Sequence, residues 1–127
     1  MRNYAKGART ERELFAILTQ KGYSVIRSAG SGVNAISPDL IAIKKGSLIS
    51  IECKAWNKSS LALDFEQYEK LVEWQHNTSF PTFVAWRMNG KGWLFIRLDE
   101  FEKGSSAYNI TRKKVLAIGR TLDSAIE

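Results

Sequence analysis

Apolar positions along this chain follow two periods, and each predicts a set of elements. Leu40–Ile43 and Leu48–Cys53 are short runs rich in β-branched residues, joined by Lys44-Lys45-Gly46-Ser47, and they predict a β-hairpin. Tyr23–Arg27 predicts a further strand. Phe80–Arg87 and Gly92–Leu98 predict two more, joined by Met88-Asn89-Gly90-Lys91 with its Asn-Gly turn signal. Helical spacing begins at Ala8, where Leu14, Ile17 and Leu18 form an apolar stripe that Gly22 closes as a C-cap. A second helix is expected from Asp64 to His76, with Asp64 and Gln67 spaced as a capping box. Its apolar face, Phe65, Tyr68, Leu71, Val72 and Trp74, is wider than one sheet contact requires, which points to an oligomer interface.

The remaining stretches carry weaker patterns. Residues Met1–Gly7 are polar and basic, as in an arm that orders against a partner. Ala55–Leu63, with Trp56 and Lys58, reads as a polar connection. Tyr108–Ile110 is short and extended, Thr111–Ile118 a helix closed by Gly119, and Thr121–Ile126 another helical turn. The pattern as a whole predicts an α/β fold in one domain spanning residues 1–127, with a central mixed sheet of about five strands flanked by helices.

Composition narrows the function classes. A chain of 127 residues buries a sizeable core without staples, and its single cysteine excludes a disulfide scaffold and suits a reducing cytoplasm. No apolar run approaches the ~18 residues of a membrane span, so a soluble, intracellular protein is expected. The formal net charge of +6 favours a polyanionic partner such as nucleic acid. With one histidine, His76, near a helix C-terminus, the chain supports neither a histidine-based metal cluster nor a Ser/His/Asp arrangement.

The central hairpin carries candidate chemistry. Whether its turn is Lys45-Gly46 or all of residues 44–47, the register sets Asp39 opposite Glu52. Opposed residues on antiparallel strands have Cβ atoms roughly 4.5–5.5 Å apart, where like charges repel. The period of two puts Ile49, Ile51 and Cys53 on a core face and Ser50, Glu52 and Lys54 on a polar one. Asp39, Glu52 and Lys54 thus share a patch suited to a hard divalent cation and an anionic substrate. A surface hairpin with a cross-strand Lys–Glu pair fits the same residues.

Glu11 precedes Leu14, Phe15 and Leu18 by three, four and seven residues, which turns it toward the sheet-facing stripe. It reads either as a first-turn acid favoured by the helix dipole or as a third acid of the Asp39/Glu52 patch. The stretch from Ser28 to Asn34, with Gly30 and Gly32, reads as a connector or as a phosphate-contacting loop, and lacks the spacing of a P-loop.

Pro38-Asp39 followed by Glu52-Cys53-Lys54 resembles the signature of the PD-(D/E)XK nuclease superfamily. With Lys6-Gly7, Glu11-Arg12-Glu13-Leu14 and Arg27-Ser28-Ala29-Gly30-Ser31 in the same order, the chain resembles the archaeal-type Holliday junction resolvases from Lys6 to about Leu98. That resemblance implies a restriction-endonuclease-like fold and a homodimeric, structure-selective endodeoxyribonuclease. Its paired nicks in four-way DNA junctions would leave 5′-phosphate and 3′-hydroxyl ends. It implies catalytic roles for Glu11, Asp39, Glu52 and Lys54. One or two Mg²⁺ ions, with Mn²⁺ as a substitute, would be held by Glu11, Asp39, Glu52 and the Cys53 carbonyl. Lys6, Arg12, Arg27, Ser31 and Arg87 match DNA-binding positions, and Trp74 a dimer-interface position. One departure is the loop after Ser31, where Gly32 to Ser37 differs among members of that family. A nuclease of the same superfamily acting on duplex, flap or damaged DNA would carry the same acids, and a non-catalytic DNA-binding relative would keep the fold. The implied place of action is the cytoplasm, at the nucleoid or in a virus-infected host.

Overall fold

The computed structural model describes residues 2–28 and 37–126, with side chains from residue 8 onward. Helix α1 (Arg2–Gln20) is followed by strands β1 (Ser24–Arg27), β2 (Leu40–Lys44), β3 (Ser47–Ala55) and β4 (Ser60–Asp64). Helix α2 (Phe65–Thr78) leads into β5 (Thr82–Met88) and β6 (Gly92–Arg97), then a 3₁₀ turn (Leu98–Glu100). Strands β7 (Glu102–Lys103) and β8 (Ala107–Thr111) and helices α3 (Arg112–Ile118) and α4 (Leu122–Ala125) complete the chain. The main sheet has five strands in the order β1-β2-β3-β5-β6. It is mixed because β3 and β5 run parallel while every other pair is antiparallel. A parallel pair needs a long crossover, and β4 with α2 supplies it.

Local chemistry accounts for the boundaries. Lys45 and Gly46 take φ of 50° and 84°, the two positive values that a two-residue hairpin turn between twisted strands demands. Leu40 pairs with Ile51, so the register is the one expected. Helix α1 ends in a Schellman arrangement: the Tyr23 amide donates to Leu18 O at 3.1 Å and Gly22, at φ 91°, donates to Thr19 O at 3.0 Å. The α1 backbone is helical from Arg2, so residues 2–7, expected as an arm, prolong the helix. Glu11 therefore lies well inside α1 rather than in its first turn.

The sheet is covered on both faces, so of the residues expected on a polar face Ser50 is buried, while Glu52 and Lys54 are half-buried. On one side Leu14 and Leu18 of α1 pack with Leu40, Ile49, Ile51, Phe83, Phe95 and Leu122. On the other, Leu71 of α2 joins Val84, Trp86, Ile96, Val115 and the leucines of β4. Ser50 is fully buried there, and its hydroxyl accepts the indole N–H of Trp74 at 2.8 Å. Truncating a leucine such as Leu14 to alanine in such a core costs about 2–5 kcal/mol.

The second correction is a second sheet. Ser60–Asp64, expected as connection, form β4, which pairs with β8, and β8 pairs with β7. Leu61 and Leu63 are fully buried while Ala62 and Asp64 face out, an alternation present in Ser-Leu-Ala-Leu-Asp. Phe65, Tyr68 and Tyr108 pack as an aromatic cluster against this sheet, with the Tyr68 and Tyr108 rings stacked at 3.7 Å. Much of the wide apolar face of α2 is thereby satisfied within the chain, although Val72 remains 39 % exposed.

Candidate active site

The carboxylates of Asp39 and Glu52 are brought together at the end of the sheet where β2 begins and β3 finishes. Asp39 follows the buried Pro38, and its carbonyl accepts the Ser28 amide at 2.8 Å. Its Oδ2 accepts the backbone N–H of Cys53 at 2.9 Å, which pins the side chain across to β3. Burial raises the pKa of Asp39 above the usual range, and the Glu11 charge adds to this. The Cys53 amide and the Lys54 and Arg27 cations oppose it.

Glu52 is the more perturbed of the two. Burial, then the charge of Asp39, pushes its pKa up to about 7, against the pull of Lys54 and a hydrogen bond from Gln67. Lys54 lies two residues further along β3, on the same face, so Lys54 and Arg27 are two cations among the three acids Glu11, Asp39 and Glu52. The arrangement is deficient in positive charge, and hard oxygen donors in that state fit a divalent cation. Among the described residues no three metal-ligating side chains converge. The carboxylates that could meet a cation here are those of Asp39 and Glu52.

Glu11 stands beside this pair but is engaged elsewhere. Its Oε1 accepts Nε of Arg27 at 2.5 Å, with the glutamate side chain 15 % exposed. Arg27 ends β1, two strands from Glu52. Glu11 reaches the acid cluster electrostatically, through its effect on Asp39, and its ion pair neutralises an arginine expected to meet DNA. The Cys53 thiol is pushed well above its ordinary pKa by burial and by Asp39, Glu11 and Glu52. It is a protonated core group rather than a nucleophile.

The other expected site residues are spread over one end of the sheet and beyond. Arg87, at the end of β5, pairs with Glu13 of α1 at 2.8 Å. Arg12 is exposed on α1. The side chain of Lys6, Ser31 and the glycine-bearing stretch 29–36 lie outside the described residues. Trp74 is half-buried with its indole N–H committed to Ser50. His76 is exposed in the last turn of α2, away from the acids.

Gln67 is the residue that sequence reasoning missed. Asp64 does cap α2, accepting the Gln67 amide at 2.7 Å. The Gln67 side chain, however, does not return to the cap: its Nε2 donates to Glu52 Oε2 at 3.0 Å. The spacing that suggested a capping box thus holds a residue orienting a candidate catalytic carboxylate. No local signal separates the two uses.

A family model described as archaeal Holliday junction resolvase (Hjc) matches residues 2–127. The chain belongs to that family. Among its relatives, a crossover junction endodeoxyribonuclease Hjc from Methanocaldococcus jannaschii is 40 % identical over 94 residues, 73 % of this chain and 66 % of that protein. The Hjc of Archaeoglobus fulgidus is 31 % identical over 84 % of this chain and 79 % of its own length. That of Sulfolobus acidocaldarius is 30 % identical over 99 % and 90 %. The solved structure of A. fulgidus Hjc, a Holliday junction resolvase, superposes with a TM-score of 0.86 at 26 % identity, covering 95 % of this chain and all of that one. A bacterial homing endonuclease, I-Ssp6803I, shares the fold at a TM-score of 0.52 and 15 % identity, covering 84 % of this chain and 73 % of its own. The restriction-endonuclease-like expectation for this Hjc-family chain therefore holds. Among the described residues no helix is long and apolar enough to cross a membrane.

Proposed function

We propose that this Hjc-family chain acts, as a homodimer inside the cell, on four-way DNA junctions, resolving them by paired, symmetric, metal-dependent phosphodiester hydrolysis. The observation that carries the chemistry is the half-buried Asp39–Glu52 pair with Lys54 on the same face. The Hjc relatives named as crossover junction endodeoxyribonucleases support the substrate.

In this reading Asp39, Glu52 and the Cys53 carbonyl would hold one or two Mg²⁺ or Mn²⁺ ions, and Glu11, now paired with Arg27, would be a further ligand. A cation so bound would supply Lewis-acid stabilisation of the leaving oxygen and an acidified water. Lys54 orients the attacking water and balances the negative charge that grows on the phosphoryl oxygens. Gln67 donates to Glu52 Oε2 and so orients that carboxylate. The water oxygen bonds to phosphorus as the bond to the 3′ oxygen breaks, giving a 5′-phosphate and a 3′-hydroxyl. Lys6, Arg12, Arg27, Ser31 and Arg87 contact backbone phosphates, which position a junction without reading bases. Two such sites come together through the exposed side of α2 that carries Val72, with Trp74 behind it, bound inward to Ser50.

The test is cleavage of a labelled immobile four-way junction in Mg²⁺ against excess unlabelled linear duplex of the same arm sequences. Paired symmetric nicks that survive the competitor are expected. Cleavage shared with the duplex would make the protein a general nuclease, and binding without cutting would make it a non-catalytic relative.

A further inference from the structure

Three elements converge on a single oxygen of Glu13. Glu13 Oε1, on α1, accepts Nε of Arg87 from β5 and Nε1 of Trp93 from β6, each at 2.8 Å. Arg87 Nη1 donates to Met88 O at 3.0 Å. With Nε and Nη1 both engaged, the guanidinium plane is set, and Nη2 donates to no described residue. The Arg87 side chain is 32 % exposed. Partial burial opposes ionisation of Glu13, yet the bonds from Arg87 and Trp93 win and hold its pKa below the usual range.

The location gives the arrangement a purpose. Arg87 pairs with Ala55, the residue after Lys54, so it sits at the sheet end that holds the acids. Arg27, bound to Glu11, ends β1 at that same edge. The two arginines are offset by three strand spacings across the sheet, about 14 Å, and by four residues along it, about 13 Å. They therefore lie roughly 20 Å apart on the α1 side, while Glu52 between their strands turns to the α2 side. A carboxylate on a face that meets a polyanion is unfavourable by charge alone, and an exposed ion pair contributes little stability. A planar guanidinium with a preset edge is, by contrast, well matched to a phosphate.

We propose that Glu13, with Trp93, is a positioning residue for substrate binding: it fixes the guanidinium of Arg87 so that Nη2 meets a backbone phosphate of the bound DNA. This rests on the junction-resolvase reading for the identity of the DNA, and the sign of one effect separates it from simple charge. Removing a carboxylate should tighten binding if Glu13 acts only as a negative charge, and weaken it if Glu13 positions Arg87. The measurement is the affinity of the full chain for a labelled immobile four-way junction in EDTA, over a series of salt concentrations.

Arg87→Ala should lose roughly tenfold in affinity and about 0.9 in the slope of log K against log salt. Glu13→Ala should weaken binding in the same direction and add nothing in the Arg87→Ala background. Glu13→Gln, whose amide oxygen accepts the same bonds, should bind as the parent does. Trp93→Phe keeps the ring and removes the N–H, giving a milder loss, and stands in if Glu13→Ala unfolds below the assay temperature. Unchanged or tighter binding by Glu13→Ala, or a full further loss in the Arg87→Ala background, would overturn the proposal. The same pattern on linear duplex, bound as tightly as the junction, would sink the junction reading while leaving the role of Glu13 intact.

Discussion

Replacing Glu52 by glutamine should stabilise the metal-free protein at alkaline pH while abolishing cleavage. The folded-state pKa of Glu52 stands at about 7 against an ordinary 4.5, because burial and Asp39 disfavour its charge. At 1.36 kcal/mol per pH unit, that displacement sets about 3 kcal/mol against folding once the group is ionised in both states. The folded pKa is above the unfolded one, so the penalty is absent below pH 4.5, grows toward pH 7 and is complete above it. Glutamine is neutral throughout and still accepts the bond from Gln67, but it buries a new amide, which reduces the gain to about 1–3 kcal/mol. For a domain of this size that is a rise in Tm of roughly 4–10 °C. Thermal unfolding in EDTA should show that rise at pH 8 and little difference at pH 4.5. Adding Mg²⁺ should then raise the parent's Tm but not the variant's, since ligand binding to the folded state alone is stabilising. Equal or lower Tm for the variant at pH 8 would refute the picture of a charge-strained carboxylate pair.

Asp39→Ala should abolish junction cleavage and leave junction binding largely intact, and a variant that cuts at the parental rate would remove Asp39 from the site. Gln67→Leu removes the donor that lowers the Glu52 pKa; activity should fall about 10–100-fold, with the acid limb of the pH–rate profile moved to higher pH, and an unmoved limb would mean that Gln67 does not act on Glu52. Glu100 accepts Arg120 through both oxygens at 2.7 and 2.9 Å, and these bonds hold its pKa below the usual range. That stability is present above the unfolded pKa and is lost as pH falls through the folded one. Glu100→Ala should therefore cost about 2 kcal/mol at pH 7 and progressively less in acid, as read by urea unfolding at several pH values. Val72→Asp on the exposed side of α2 should weaken the proposed homodimer, and an unchanged mass by light scattering at low concentration would reject the α2 interface.

Local pattern carried a large part of this protein. Helix and strand periods, the Lys45-Gly46 turn, the Asp64 and Thr111 caps and the Gly119 terminus are settled by neighbouring residues, and the structure follows them. The opposition of Asp39 and Glu52 was legible for the same reason, because a tight hairpin turn propagates its register to both strands. Order along the chain also carried the family, since Glu11, Asp39, Glu52 and Lys54 stand in one recognisable sequence pattern.

Tertiary structure decided what depends on residues far apart in sequence. Strand β4 is stable through β8, whose residues lie more than forty positions away, so five residues of ordinary propensity gave little local sign of it. The covering of the second sheet face by α2 turned an expected polar surface into the buried environment that raises the Glu52 pKa. The same packing sent Gln67 to Glu52 instead of to its own helix cap, and drew Glu11 and Glu13 onto arginines from other strands. A side chain with two satisfactory partners, one local and one distant, is assigned by the packing of the elements that carry them, and that packing is not written in any single stretch of the chain.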